Sequence, residues 1–174
     1  LYVAVLALAI VAIITVKFLP TDFSNQPTGL GQQGNQNVSL GSSIPDKLGK
    51  FDMVGVETGI EAVQNISRLH GTGIDIVDGF VVQYVNEDSA FILWVSESRN
   101  DEEARYIFDL MDEKMPNSSM FINRTEVNFG DKTLIYVTGA GMENYYWVEG
   151  TLNYWVGVFE GDELDILELV INNF

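Results

Sequence analysis

The sequence predicts an α+β protein: an N-terminal hydrophobic helix, a flexible linker, then a twisted antiparallel sheet of about six to seven strands with three helices packed on a face. Three observations predict it. Residues 1–20 are almost wholly apolar. A stretch rich in Gly, Gln, Asn and Ser follows as far as Lys47. From Phe51 onward, short segments of period two are interrupted by three segments of period 3.6.

Within Leu1–Leu19 only Lys17, Thr15 and the hydroxyl of Tyr2 break the apolar run. As a helix it spans roughly 28 Å, barely the thickness of a bilayer core. Its length and its Ala and Leu content favour a helix over a buried strand, which rarely exceeds about ten residues. Pro20 ends it. Residues 21–47, TDFSNQPTGLGQQGNQNVSLGSSIPDK, have the composition of an extended linker. GLGQQG matches G-x-G-x-x-G in form, but no strand precedes it and no helix follows, so it lacks the context a dinucleotide loop needs.

Residues 48–174 form the head domain, opening on the strand FDMVGVE. Thr58 and Glu61 have capping-box spacing before a helix with Ile60, Val63, Ile66 and Leu69 on its apolar side, closed by Gly71. GFVVQYV and AFILWVS flank NEDS as a hairpin. A second helix begins near Asn100, again with Glu103 at capping-box spacing. Its stripe is Ala104, Ile107, Phe108, Met111 and Met115, and Pro116 stops it. MFINRTEVNF and KTLIYVT then turn at Gly130-Asp131, and NYYWVE and LNYWVGVF turn at Gly150. Asp162 caps a last helix, with Leu164, Leu167 and Ile171 expected on its buried side.

The charge balance excludes several classes of function. A net charge of −16 and a pI near 4.1 repel phosphate backbones and anionic headgroups, so no nucleic-acid partner is expected. The chain has no cysteine, which removes disulfides, thiolate chemistry, zinc fingers and iron–sulfur clusters. His70, the single histidine, falls at the end of the first helix, where an imidazole meets the last carbonyls. The acidic clusters at 86–88, 100–103 and 160–165 could offer oxygen ligands to calcium, but helix N-termini and solvated turns account for two of the three. DIVDG at 75–79 falls short of a calcium loop. No catalytic residue, metal or cofactor is expected.

Two groups of residues stand out as contact or modification sites. Tyr145, Tyr146 and Trp147 face Tyr154 and Trp155 across the Gly150 turn. Strand alternation puts Tyr145 and Trp147 on one face and Tyr146 on the other. One face must meet the core, and the other is left for a protein contact, a ligand platform or cover beneath a loop. Asn37, Asn65, Asn117 and Asn123 each open an N-x-[ST] sequon, a glycan acceptor in an exported chain. Asn123 is expected to project outward from a strand, on the side of Phe121 and Thr125.

The segment LYVAVLALAIVAIITVKFLP, with no methionine or basic residue ahead of it, resembles the start of type IV pilin-like subunits, particularly archaeal pilins and archaellins. The resemblance is confined to about the first twenty residues. It departs from bacterial pilins at Val5, where they carry a glutamate, and at Pro20, where most members continue the helix. It implies cleavage just before the hydrophobic helix, insertion in the membrane before assembly, and a helical homopolymer whose N-glycosylated heads face outward at the cell surface. Leu1, Ala4, Leu8, Ala9, Ala12, Val16 and Pro20 would then form the assembly helix, the alanines allowing close helix approach. On that expectation the chain is a structural subunit and not an enzyme. The alternative left open is a single-pass membrane-anchored ectodomain that binds a partner or serves a membrane complex.

Overall fold

A computed structural model describes residues 39–70 and 74–174, the side chains of 68–70 excepted. The hydrophobic helix expected over residues 1–20, the linker as far as residue 38, the expected stop at Gly71 and the capping role expected of His70 lie outside what is described. The described strands are β1 (Lys47–Leu48), β2 (Phe51–Thr58), β3 (Asp78–Val85), β4 (Ala90–Glu97), β5 (Phe121–Phe129), β6 (Lys132–Gly139), β7 (Met142–Glu149) and β8 (Leu152–Glu160). The helices are α1 (Gly59–His70) between β2 and β3, α2 (Asp101–Lys114) between β4 and β5, and α3 (Glu163–Asn173) at the end. One-turn 3₁₀ segments stand at Leu40–Ser43 and Met115–Asn117.

All eight strands belong to one antiparallel sheet in the order β1-β2-β3-β4-β8-β7-β6-β5. The first four strands run outward to inward as two hairpins. Helix α2 then carries the chain to the far edge, and β5–β8 meander back until β8 pairs with β4. Among the described residues no helix is long and apolar enough to cross a membrane.

This architecture corrects the expected one in two respects. The sheet has eight strands, not six to seven. The extra strand, β1, is two residues long, pairing Lys47 with Asp52 and Leu48 with Phe51. No periodicity can reveal a strand that short. The end of the presumed linker is therefore part of the domain. The Asp78 carboxylate accepts the Leu40 N–H (2.8 Å) and the Ser39 hydroxyl (3.0 Å), and the Tyr84 hydroxyl donates to the Pro45 carbonyl (2.6 Å). Leu48 is buried, and Leu40 and Ile44 pack beside it on the core.

Secondly, the helices cover both faces. The larger core lies under α3, where Ile166, Leu167 and Val170 meet Phe80, Val82, Leu93, Val95, Tyr154 and Val156. On the other face Ile66 of α1 packs on Val81 and Ile92, while Met115, Phe108 and Met111 pack on Ile135, Val137 and Tyr146. The cause is in the strands. β3 and β4 bury consecutive residues, Phe80 to Val82 and Phe91 to Leu93, as strands enclosed on both sides do.

Two helix faces also differ from expectation. Leu164 is 60% exposed and Ile60 79% exposed. Asp162 caps α3 by accepting the N–H groups of Leu164 (3.0 Å) and Asp165 (3.2 Å), which leaves Leu164 in the first turn, off the stripe set by Ile166, Leu167 and Val170. Thr58 completes β2, and the chain enters α1 through Gly59 at φ +61°, a backbone conformation only glycine adopts without strain.

If residues 39–48 belong to the core, a fragment 39–174 unfolds cooperatively. A fragment 49–174 loses the burial of Leu48 and the Tyr84 hydrogen bond, and with them at least about 2 kcal/mol. Urea denaturation of the two fragments measures the difference; equal midpoints would return these residues to the linker.

Candidate functional site

Helix α2 is held along its length by three polar attachments. At its start Asn100 accepts the Glu103 N–H (2.9 Å). One turn on, Asn153 of β8 donates its Nδ2 to the Ala104 carbonyl (3.0 Å). Towards its end, the Asp112 carboxylate takes both Nε and Nη2 of Arg124 at 2.7 Å and the Tyr146 hydroxyl at 2.7 Å. A bidentate guanidinium–carboxylate pair of this kind is directional as well as strong. The Arg124 hydrogen bonds hold the Asp112 carboxyl below its usual range, against the opposing effect of burial. Burial, then Asp112, keeps the Tyr146 phenol un-ionised far beyond the ordinary tyrosine range.

Helix α1 lies over β3 and β4 on the same face. The two helices pack on different strands, α1 on Val81 and Ile92 and α2 on Ile135, Val137 and Tyr146. Between them runs a groove of about 550 Å³, walled by Ile66 of α1 and by Ile107, Leu110, Met111 and Met115 on the α2 side, with Met120 and Phe121 at one end. Its floor is Trp94 and Ser96 of β4, Trp155 and Asn153 of β8, and Met142 and Asn144 of β7.

The floor is rigid. Asn144 is fully buried; its Nδ2 donates to the Gly139 and Met142 carbonyls (3.1 and 3.0 Å), and its Oδ1 accepts the Trp155 Nε1–H (3.0 Å). The Trp155 ring stacks on Tyr146 at 4.9 Å and meets Phe121 edge-on at 5.2 Å. Beside it Met142 lies against Gly157, where an added Cβ would stand 2.7 Å from the Met142 sulfur. Four of the chain's five methionines, Met111, Met115, Met120 and Met142, line this groove. Such unbranched, polarisable side chains adapt to irregular apolar ligands.

The polar contribution is sparse. Lys114 stands on the rim at the end of α2, with no acidic partner among the described residues. Asn153 is 7% exposed and its Oδ1 has no hydrogen-bond partner there. No carboxylate or imidazole is found among the described residues lining the groove, and no group of three acidic, His or Cys residues could hold a metal ion.

The aromatic cluster of the Gly150 hairpin divides differently from the expectation of one open face. Tyr145, Trp147 and Tyr154 belong to the large core, with Trp147 stacked on Tyr154 at 4.8 Å. Tyr146 is fully buried beneath α2. Both faces are covered because helices lie on both. Trp155 alone of the five leaves its ring partly exposed in the groove floor.

Among the sequons, Asn117 is exposed on its 3₁₀ turn, whereas Asn65 is half-buried and donates to Glu57. Asn37 lies outside the described residues. Asn123 is exposed but sits in a bulge at φ +61°, so strand alternation with Phe121 and Thr125 does not apply to it. Trp94, Lys114, Asn144 and Asn153 were not singled out by motif. Only Asn144 and Asn153 carry a signal in the sequence, an Asn before the aromatics in both NYYW and NYW, a polar residue inside strands otherwise buried; Trp94 and Lys114 carry none.

Asp112 gives the site a measurable pH signature. Because its folded-state pKa is lowered, the stability it contributes is fully present above the ordinary carboxylate pKa of about 3.9 and is lost as pH falls through the folded value. Asp112→Asn is expected to melt lower than wild type at pH 7, the gap closing as pH falls below the ordinary carboxylate range. Thermal melts of both proteins across that range measure it; a constant gap would mean that the pair contributes by shape alone.

No protein-family model matches the chain, and no curated protein does. Among solved structures it is similar to a GTP-binding regulator from Thermotoga maritima at 15% identity, the match covering 69% of this chain and 75% of that chain with a TM-score of 0.45. A likeness of that size carries no argument about what this chain does.

Proposed function

We propose that this chain is a binding ectodomain, tethered to the membrane by its apolar segment Leu1–Leu19, which takes up apolar molecules in the groove between α1 and α2. The observation that carries this reading is the groove itself. Trp94 and Trp155 of β4 and β8, Met142 of β7 and Met111 of α2 are left partly exposed beside central strands that are otherwise buried. Leaving apolar surface open costs about 25 cal/mol per Å² relative to burying it, and a rigid floor keeps the walls from closing over it. The acidic surface and the exposed sequons at Asn117 and Asn123 suit an address outside the membrane.

The full-length chain in lipid nanodiscs, titrated with 10-bromodecanol, tests this. Bromine quenches tryptophan on contact, and two of the chain's three tryptophans line the groove. Saturable quenching is expected, and Leu110→Asp should weaken it at least tenfold by placing an unpaired carboxylate on the wall. Absence of saturable quenching in the wild type would sink the binding reading.

A second reading is favoured by the alanines at positions 4, 7, 9 and 12: copies of the chain assemble through this segment into a surface filament with the heads outside. Native material would then sediment as a polymer. Ala9→Asp would leave it monomeric, since an uncompensated carboxylate in an apolar bundle costs several kcal/mol. Sedimentation of wild type as a monomer would exclude this reading without touching the first.

A further inference from the structure

We infer that the groove is built for an elongated apolar molecule with an anionic head, and that Lys114 receives that head. This deepens the binding reading above and rests on it.

Three observations carry it. The first is shape. Ile107, Leu110, Met111, Lys114 and Met115 recur at i, i+3, i+4, i+7 and i+8 along one side of α2. They form a wall about 12 Å long at 1.5 Å per residue. A chain-like molecule lying along the helix meets every one of them.

The second is charge. Acids outnumber bases 25 to 9 in the sequence, yet the described lining carries one ammonium and no carboxylate. On a surface of this composition, a described lining free of acids is the opposite of what a cationic ligand would select. The repulsion of an anion by the rest of the molecule is screened beyond about 8 Å at physiological salt, so a contact with Lys114 is decided locally.

The third is that Lys114 is uncommitted. The other lysines and arginines whose side chains are described are occupied: Lys47, Arg99, Arg124 and Lys132 pair with acids, while Lys50 and Arg105 lie over the Phe51 and Phe108 rings. Lys114 has no such partner among the described residues. Its place in the last turn of α2 also suits the helix dipole, so position alone does not establish the role. Selectivity for the ligand's charge does, because a lysine that only complements the dipole leaves ligand preference unchanged.

The experiment compares three probes of one chain length on the full-length protein in nanodiscs: 10-bromodecanoate, neutral 10-bromodecanol and cationic 10-bromodecyltrimethylammonium. The carboxylate is expected to bind about three- to tenfold more tightly than the alcohol, and the cation more weakly than both. Lys114→Gln should bring the carboxylate down to the alcohol's affinity without altering the alcohol, and Lys114→Glu should move the preference to the cation. Saturable quenching of equal strength by all three probes would overturn the assignment of Lys114 while leaving the apolar groove intact. Failure of every probe to saturate would overturn both. A carboxylate preference that survives in Lys114→Gln would place the head elsewhere and overturn the assignment as well.

Discussion

The central strands β3, β4, β7 and β8 carry apolar side chains on both faces, and this requirement governs the rest of the molecule. A sheet of that kind cannot leave either side to water. Helix α3 and the 39–48 segment close one face over a continuous core containing Phe80, Tyr84, Leu93 and Val156. The other face receives α1 and α2, two helices of 12 and 14 residues set over an eight-stranded sheet. Two helices so placed do not span it. What they leave uncovered is the groove.

An uncovered apolar strip usually invites collapse, and the polar bonds around it explain why the walls stand apart. Asn153 ties the first turn of α2 to β8, while Asp112, Arg124 and Tyr146 tie its end to β5 and β7. The Asn144–Trp155 hydrogen bond fixes the floor. Each of these is a buried or half-buried polar group whose partner, if removed, leaves a desolvated atom behind. The helix cannot slide inward without breaking several at once. The groove's shape is thus a consequence of hydrogen bonding, while its chemistry is a consequence of methionine and tryptophan.

Much of the secondary structure was legible from local pattern. The alternation in GFVVQYV, AFILWVS and LNYWVGVF corresponds to strands, and the spacing of Ala104, Ile107, Met111 and Met115 to α2, with Asn100 and Asp162 in place as caps. Pattern failed where the cause was not local. β1 pairs with β2 across a tight turn at Gly49, but at two residues it carries no periodicity of its own, and the segment before it is held by a remote partner, Tyr84, whose hydroxyl reaches the Pro45 carbonyl. Leu164 and Ile60 read as core residues on hydropathy, but the helix phase set by their neighbours turns them outward. Asn123 escapes strand alternation because β5 bulges there.

The sequence by itself determined the place of most helices and strands, β1 excepted, that the composition is strongly acidic, and that the chain has no cysteine chemistry of its own. These properties depend on residues within a few positions of one another or on composition alone. Only the tertiary structure decided that helices cover both faces, that Trp155 and not its neighbours reaches the open surface, and that Trp94, Met142, Asn153 and Lys114, scattered over 60 positions, line one groove. The reason is that strand order brings β4, β7 and β8 side by side across long stretches of chain. A floor assembled from separate strands has no contiguous sequence to announce it.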